Sequence, residues 1–314
     1  MDPLIIQPNY LPTIDFSVEN SNPGKSCWHS TSLKVRRALE DHGCFIATYN
    51  QISPNDLFDS LRDLFDLPLE TKAKNVSDKP FHGYFSNRPT APLLESLGIE
   101  DAASPDSVKR FTSLMWPNGN QSFWENMRTY TKVVSDLTQM VVRMIFESYN
   151  VEKYYNSHVN STTYLLRLLR YRQPQKNESN VGADVHTDKG FITVLHQDQV
   201  NGLEVRTKDN KWIDVNFPPS SFVVMAGDGL LAWSNGRVHA PLHKVIMKGG
   251  DEARYSLCMF SIPKGIVEIP NELVDNDHPL KFKPFDHDSL LRFFAEGKAK
   301  HHESTAKQFC GISE

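Results

Sequence analysis

Two histidines and one aspartate have the residue types and the spacing of a metal site. His186-Thr187-Asp188 places an imidazole and a carboxylate two residues apart, and a further histidine follows at His243. Two neutral imidazoles and one carboxylate can occupy one face of a divalent iron and leave its other coordination positions open. The sequence therefore predicts a metal centre with His186, Asp188 and His243 as its ligands.

A second pair of polar residues lies eleven and thirteen positions after His243. These are Arg254 and Ser256, which flank a tyrosine. Alternate residues of a strand share one face, so the Arg254 guanidinium and the Ser256 hydroxyl can bind one carboxylate together. With the metal ligands, this pair describes a site that holds a metal, a small dicarboxylic acid and a vacant position for oxygen. Such a set of residues predicts an enzyme.

Two other histidines compete for these roles. His196-x-Asp198 repeats the spacing of the first pair, and periodicity does not choose between the pairs because each puts its members on one strand face. The surroundings favour the pair at 186, which follows a polar loop at 177–184, whereas His196 ends an apolar strand. His239 competes with His243, which begins a β-rich run. We expect His196 to be a hydrogen-bonded strand or pocket histidine, and His239 a pocket wall or surface residue.

Two other classes of protein fit part of this pattern. A hydrolytic zinc enzyme could use the same three ligands with a metal-bound water, but that class gives no role to Arg254 and Ser256. A cupin-like binding protein could keep the fold and lose its affinity for iron or co-substrate. Every expected ligand is present, which argues against a silent protein of this kind.

The elements that position these residues divide the chain into a helical first half and a β-rich second half. Apolar residues at helical spacing predict helices from Thr31 to His42, from a cap at Ser53 or Asn55 to Phe65, from about Ser122 to Tyr149, and from about Ser289 to Lys300. Short apolar runs between turn residues predict strands at Tyr164–Tyr171, Phe191–His196, Gly202–Arg206, Trp212–Val215, Phe222–Met225, His243–Met247 and Tyr255–Ile262. Many short strands at close spacing are typical of a sandwich, jelly roll or small barrel.

The composition of the 314-residue chain narrows the class of protein. Its 38 acidic and 34 basic residues give a formal net charge of −4, and no basic tract is present, which argues against a nucleic-acid partner. Four cysteines without a C-x-x-C pair favour reduced thiols over a disulfide framework. No basic leader opens the sequence, and no run reaches the ~18 apolar residues of a membrane span. We therefore expect a cytoplasmic, monomeric protein that binds a small molecule and no membrane.

The residues above resemble those of the plant 2-oxoglutarate- and Fe(II)-dependent dioxygenases, and the resemblance covers nearly the whole chain. The H-x-D, H and R-x-S motifs are joined by segments similar to others of the family: Leu11–Asp15, Ala38–Phe45, Phe65–Lys72, Gly83-Tyr84, Leu203–Val205, Gly227-Asp228 and Ser234–Gly236. The runs His186–Gly190, Gln199–Val205 and Pro263-Lys264 are closest to the glucosinolate side-chain dioxygenase-like, or AOP-like, group. The auxin-oxidising dioxygenases are a neighbouring group.

The resemblance implies an α+β fold, in which a double-stranded β-helix (a cupin-like jelly roll) is supported by N-terminal and C-terminal helices. We expect residues 1–314 to form one dioxygenase domain. Within it we expect a helical N-terminal region at 1–120, the iron- and 2-oxoglutarate-binding core at 160–265, and a C-terminal helix and tail at 266–314.

The resemblance also implies roles for single residues. Iron would bind His186, Asp188 and His243, and 2-oxoglutarate would bind Arg254, Ser256 and Tyr171, with O2 as a further co-substrate and ascorbate as reductant. The implied reaction is hydroxylation, desaturation or oxidative O-demethylation of a small specialised metabolite, with release of succinate and CO2. An auxin (indole acetic acid) oxidase is the alternative within the family.

The substrate pocket is expected to be lined by aromatic residues and one arginine. Arg167 and Phe260 match positions that line this pocket in flavonoid-oxidising relatives. Further candidates come from loops that border the core and are Phe81, Trp116 and Phe191.

Overall fold

The computed structural model describes residues 11–17, 20, 22–49, 51–52, 54–218, 220–300 and 302–312. In chain order the strands are β1 (Thr13–Asp15), β2 (Cys44–Thr48), β3 (Phe85–Arg88), β4 (Ala91–Ile99), β5 (Thr162–Tyr171), β6 (Val181–His186), β7 (Ile192–Gln197), β8 (Leu203–Arg206), β9 (Trp212–Asp214), β10 (Ser221–Ala226), β11 (His243–Ile246), β12 (Arg254–Pro263), β13 (Ile266–Val267) and β14 (Phe285–Asp286). The α-helices are α1 (Ser26–Asp41), α2 (Pro54–Phe65), α3 (Leu69–Lys72), α4 (Pro105–Met115), α5 (Gln121–Ser148), α6 (Tyr155–Asn160), α7 (Asp228–Trp233), α8 (His287–Ala295) and α9 (Thr305–Cys310).

Eight strands form the main sheet, in the order β1-β2-β10-β7-β12-β5-β4-β3. The ten-residue strands β5 and β12 pair antiparallel along their whole length, from Arg254 opposite Tyr171 to Pro263 opposite Thr162. β7 pairs with the other edge of β12, and β4 pairs with the other edge of β5. These four strands form the middle of the sheet and carry one wall of the cavity described below.

A second, smaller sheet has the order β6-β11-β8-β9. Its inward residues, among them Ala183, Leu203 and Val245, form one apolar cluster with Leu195 and Cys258 of the main sheet. Alternating residues on each strand supply this contact, as expected where two antiparallel sheets pack face to face. The two sheets therefore enclose the space between them.

Helices cover the other face of the main sheet. The 28-residue α5 begins after Asn120, whose side chain accepts a hydrogen bond from the Phe123 N–H at 3.0 Å. Residues three or four apart on α5, such as Val134, Leu137 and Val141, are fully buried in a cluster with main-sheet residues. The predicted long helix is thus confirmed, and so are the helices observed as α1, α2 and α8 and the seven predicted strands.

The first half of the chain is less helical than predicted. Residues 1–120, expected to be a helical N-terminal region, contain α1 to α4 and also supply four strands of the main sheet. β4 lies between β3 and β5 and is buried on both faces, so its apolar residues do not alternate. A continuous apolar run of this kind cannot be told from a helix by its period.

Other differences concern short elements. β6 occupies the second half of the segment 177–184 that was expected to be a polar loop, and α4, α7 and α9 have no counterpart among the predicted helices. The proposed cap at Ser53 lies outside the described residues. Within the described ranges, no helix combines the length and apolar character needed to cross a membrane.

Candidate active site

The pairing of β6 with β11 brings the three predicted metal ligands together. His186 ends β6, His243 begins β11, and the two are direct partners in the antiparallel ladder. Asp188 Oδ1 lies 3.9 Å from His186 Nε2 and 3.6 Å from His243 Nε2. One potential ligand atom from each residue lies within 4.8 Å of the other two. Two nitrogens and one oxygen converging in this way fit a divalent metal ion.

Backbone carbonyls orient both imidazoles. His186 Nδ1 lies 2.7 Å from the carbonyl oxygen of Asp184, and His243 Nδ1 lies 3.4 Å from that of Pro241. Since a carbonyl can only accept, each Nδ1 carries the proton and each Nε2 presents a lone pair to a metal. Burial, followed by the neighbouring His243, lowers the pKa of His186. The His186 ring is therefore neutral at pH 7, as a metal ligand must be.

Asp228, in the first turn of α7, fixes the loop that carries Asp188. Its N–H donates to the Asp188 carbonyl at 2.8 Å, and its carboxylate accepts from the Thr187 hydroxyl at 2.7 Å. The same carboxylate lies 3.5 Å from Lys189 Nζ and accepts from the Thr305 N–H at 3.1 Å. This fully buried acid thus connects the metal loop to α9 near the C-terminal end of the chain.

Arg254 is a fully buried guanidinium on the side of β12 that faces the second sheet. Its Nη1 donates to the Ser256 hydroxyl at 3.0 Å, and its Nη2 donates to the Gln197 side-chain carbonyl at 2.8 Å. In the part of the chain that the structure describes, its Nε has no hydrogen-bond partner and no carboxylate forms an ion pair with it. The Tyr171 ring lies 5.1 Å from the guanidinium carbon. A buried cation with neutral partners and an unused donor fits a carboxylate ligand.

A cavity of about 250 Å³ lies between the two sheets. Its wall is mainly apolar and includes all three predicted metal ligands. Of the other predicted site residues, Tyr171, Arg167, Phe260 and Phe81 line the cavity. Arg254 and Ser256 are not part of its wall; Arg254 lies behind the Tyr171 ring and donates to the Ser256 hydroxyl. Residues from 80–91 and from α8 complete the wall.

Two predicted pocket residues lie elsewhere, and these predictions are wrong. The Phe191 ring packs in the helix-side core, 4.3 Å from that of His158 and 5.5 Å from that of Trp233 between centroids. Trp116 follows α4 and packs against Phe123, with ring centroids 4.7 Å apart. Both side chains contact the apolar cluster between helices and sheet, so neither reaches the cavity.

The competing histidine His196 faces that same helix-side core. Its ring lies 5.0 Å from Phe58, 5.9 Å from Tyr130 and 4.9 Å from Phe222 between centroids. Its neighbour Leu195 points the other way and lines the cavity. Burial lowers the pKa of His196 to about 4. His196 is thus a strand histidine apart from the metal ligands, as expected, but the expected hydrogen bond is not found at Nδ1, which has no partner among the described residues.

The other competitors also lie apart from the metal ligands. Asp198 forms an ion pair with Arg62 of α2. His239 lines a separate surface pocket with Lys208 and Lys307, and burial lowers its pKa to about 4. Neither residue belongs to the His186 cluster.

Sequence reasoning missed several residues of the site. Phe85, Arg88, Lys189 and His287 also line the cavity. Phe85 and Arg88 are the ends of the short strand β3, Lys189 lies in the loop after the metal ligands, and His287 begins α8, so no sequence period marks them as pocket residues. Asp228 was noted only as part of a Gly-Asp resemblance. Its one local signal is an acid set between glycines in an otherwise apolar run.

Comparison with known proteins gives two matches to family models. The model described as the 2OG-Fe(II) oxygenase superfamily matches residues 150–263, and the model described as non-haem dioxygenase in morphine synthesis N-terminal matches residues 11–133. Among curated proteins, "Probable 2-oxoglutarate-dependent dioxygenase AOP1" of Arabidopsis thaliana is 45% identical over 314 residues, which cover 96% of this chain and 96% of that protein.

Solved structures give the same likeness. The rice dioxygenase for auxin oxidation is 29% identical, with a TM-score of 0.79 over 96% of this chain and 100% of that one. Dioxygenase for auxin oxidation 1 from Arabidopsis thaliana, in its complex with 2-oxoglutarate, is 28% identical, with a TM-score of 0.76 over 86% and 99% of the two chains. Together with the two facing sheets, these likenesses confirm the predicted double-stranded β-helix fold.

Proposed function

The chain belongs to the 2OG-Fe(II) oxygenase superfamily, and we propose that its cavity is the active site in which it oxidises a small metabolite. It is accordingly a 2-oxoglutarate-dependent dioxygenase that uses Fe(II), and its relation to AOP1 confirms the predicted AOP-like resemblance. The roles of single residues below are part of the proposal.

His186, Asp188 and His243 are the proposed iron ligands. The carbonyls at Asp184 and Pro241 keep both Nε2 atoms directed at one point, and Asp228 holds the loop that carries Asp188. When bound, Fe(II) supplies redox chemistry with dioxygen, and 2-oxoglutarate supplies electrons for it. The apolar wall keeps bulk water away from this chemistry.

The observation that carries the proposal is that the buried Arg254 has no carboxylate partner among the described residues. Its unused Nε–H and its charge favour a ligand carboxylate at this end of the cavity, with the Ser256 hydroxyl and the Tyr171 ring beside it. A dicarboxylic acid held there can extend toward the metal ligands in the same cavity. A zinc hydrolase gives this guanidinium no role, because its reaction needs only the metal-bound water.

The proposed substrate is a small specialised metabolite that is hydroxylated, desaturated or oxidatively O-demethylated, with succinate and CO2 as co-products. A largely apolar cavity of about 250 Å³ supports a small and mainly apolar molecule. Oxidation of an auxin such as indole acetic acid is a second candidate, and the likeness to the rice auxin dioxygenase favours it. A silent binding protein is a weaker proposal, since the whole ligand set is in place.

We further propose that residues 1–314 act as one unit, since strands from both halves of the chain share the main sheet. A monomeric state, a cytoplasmic location and the use of ascorbate as reductant complete the proposal.

Succinate release from 2-oxoglutarate tests this function. Purified protein is incubated with Fe(II), ascorbate and oxygen, with and without a metabolite extract from the source tissue. Release that requires both iron and oxygen and rises with extract is the expected result, and it provides an assay for fractionating the substrate. No release, with zinc or no metal retained after purification, would contradict it and favour the hydrolase or the silent protein.

A further inference from the structure

Four lysine and arginine residues of the described chain are buried, and they differ in their partners. The two lysines have carboxylates: Lys72 Nζ lies 2.7 Å from Glu95, and Lys189 Nζ lies 3.5 Å from Asp228. The two arginines, Arg254 and Arg167, form no ion pair within the described ranges. Because burying an unpaired charge is costly, both guanidinium groups favour a bound anion.

Arg167 is held by neutral groups alone. Its Nη1 donates to the carbonyls of Phe81 at 2.8 Å and Gly83 at 2.7 Å, and its Nε and Nη2 both donate to the Ser96 hydroxyl, at 3.1 and 2.6 Å. Burial lowers the pKa of Arg167 to about 9, and Arg88 is a second cation that acts on it. The guanidinium is therefore still charged at pH 7, and no carboxylate of a described residue forms an ion pair with it.

The backbone is shaped to bring this cation to the cavity. Phe81 has φ +62°, a left-handed conformation that is unfavourable for a bulky residue, and its carbonyl accepts from Arg167. Gly98 on β4 permits the close approach, because a Cβ there would lie 1.8 Å from the His82 carbonyl and 2.7 Å from Arg167 Nη1. Strain of this kind is commonly stored at ligand sites.

Arg167 and Arg254 are too far apart to bind one carboxylate. In the β5–β12 ladder Arg167 is opposite Cys258, whereas Arg254 is opposite Tyr171. Four residues of strand separate the two positions, which is about 13 Å at the rise of an antiparallel strand. An anion at Arg167 is therefore a second one, in addition to the anion proposed at Arg254.

Aromatic rings surround the Arg167 end of the cavity. The guanidinium carbons of Arg167 and Arg88 each lie 4.6 Å from the Phe85 ring centroid, and Arg88 also lies 5.2 Å from that of Phe81. The Phe294 ring of α8 lies 5.9 Å from the Phe81 ring between centroids. Flat apolar walls beside two cations suit a molecule with a ring and an acid group.

We propose that the substrate oxidised in this cavity is a small carboxylic acid with a flat, ring-sized apolar body, whose carboxylate binds Arg167 with help from Arg88. Phe81, Phe85 and Phe294 hold the ring. This inference rests on the proposed function for the reaction, but the acid-binding site itself does not depend on turnover. Binding at Arg167 fixes one end of the substrate and so determines which carbon faces the metal.

Paired acids and amides test the proposal. Benzoate, phenylacetate, 3-phenylpropanoate and indole-3-acetate are each compared with the corresponding primary amide by isothermal titration calorimetry. The protein is loaded with Mn(II) and saturating 2-oxoglutarate under exclusion of oxygen. We expect the best-fitting acid to bind about 10- to 100-fold more tightly than its amide, the range for hydrogen bonds to a charged group. Arg167→Met should remove this preference, and Arg88→Gln should reduce it by about threefold.

The controls separate the possible failures. Arg128→Gln removes an exposed arginine that lies over the Trp124 ring, outside the cavity, and should leave the preference unchanged. If Arg167→Met does not fold, the proposal is tested with Arg88→Gln. The Arg88 side chain is exposed, so this substitution should not disturb folding. Equal binding of every acid and amide, or a preference that survives both substitutions, overturns the proposal. The proposal is also overturned if Arg254→Met is the only substitution that removes the preference for acids over amides, because the acid then binds at the 2-oxoglutarate position.

Succinate release distinguishes this inference from the proposed function. Turnover without acid preference contradicts the substrate class and leaves the dioxygenase assignment intact. Acid preference without any turnover contradicts the dioxygenase assignment for this cavity and leaves the acid site at Arg167 supported.

Discussion

The two faces of the main sheet consist of alternate residues of the same strands, yet they have different surroundings. On β7, His196 faces the helices and is buried among aromatic rings, whereas Leu195 faces the second sheet and lines the cavity. On β12, Tyr255 packs against Phe65 on the helix side, while Arg254 lies on the cavity side. A shift of one residue therefore separates a structural position from a site position.

The polar side chains on the two faces of the main sheet also differ in their charge and in their partners. On the helix side, His196 is neutral and surrounded by carbon, with its pKa lowered to about 4 by burial. On the cavity side, Arg254 and Arg167 keep a charge with no carboxylate beside them in the described part of the chain. Helices exclude ligands from one face, and the gap between the sheets admits them at the other. The face of the sheet on which a polar residue lies therefore indicates its role better than the sequence motif to which it belongs.

The two H-x-D motifs give the largest expected difference between the faces. Asp188→Ala removes a proposed iron ligand and should abolish succinate release. Asp198→Ala removes only an ion pair with Arg62, which is part-exposed, and should leave release within about twofold of the unchanged protein. Both are measured at saturating Fe(II) and 2-oxoglutarate. If Asp198→Ala lost as much succinate release as Asp188→Ala, the His196-x-Asp198 motif would also be needed for activity, contrary to its proposed structural role.

Neighbouring residues on β12 give the next contrast. Arg254→Met should raise the KM for 2-oxoglutarate about 10- to 100-fold, because a charge-assisted hydrogen bond to the far carboxylate is lost. Tyr255→Phe changes the adjacent residue on the helix side and should leave that KM unchanged. Steady-state kinetics at varied 2-oxoglutarate measure both. An unaltered KM in Arg254→Met would remove this residue from the co-substrate site.

The pH dependence of stability gives the smallest effect and concerns the helix side alone. The pKa of His196 is about 4 in the folded protein and near 6.5 when unfolded, so the unfolded chain takes up a proton first as the pH falls. The neutral buried ring therefore contributes stability above pH 6.5 that is lost progressively toward pH 4. By linkage, this single group accounts for about 2 kcal/mol between pH 7 and pH 5.

His196→Leu tests this assignment by urea unfolding at pH 7 and pH 5. The difference in unfolding free energy between the two pH values should be smaller in the variant by about 1–2 kcal/mol. His29→Leu replaces an exposed histidine of α1 and serves as the matched control. An unchanged pH difference in His196→Leu would mean that the ring is not buried in neutral form.

Much of the cavity-side chemistry could be predicted from the sequence. The ligand triad follows from residue type and spacing, and alternation along one strand places Arg254 with Ser256. The preference for Asp188 over Asp198 follows from the flanking segments, although the second half of the expected loop before His186 is strand. In each case the signal is local, because the interacting residues are near in sequence or share a strand.

The rest depends on contacts between distant segments. Nothing near Arg167 in the sequence shows that it lacks a carboxylate, since the relevant neighbours come from 81–98 and from β12. Phe191 and Trp116 were placed in the pocket because aromatic type alone does not show which side of a sheet a ring contacts. β4 was missed because burial on both faces removes the alternation that marks a strand.

The most direct test of the account is equilibrium binding of Fe(II) to the protein without oxygen, measured by dialysis and elemental analysis for the unchanged chain, His186→Ala and His196→Ala. One iron per chain in the unchanged protein and in His196→Ala, with little or none in His186→Ala, is the predicted result. Iron retained by His186→Ala but lost from His196→Ala would contradict the assignment of the metal centre to the cavity side of the sheet.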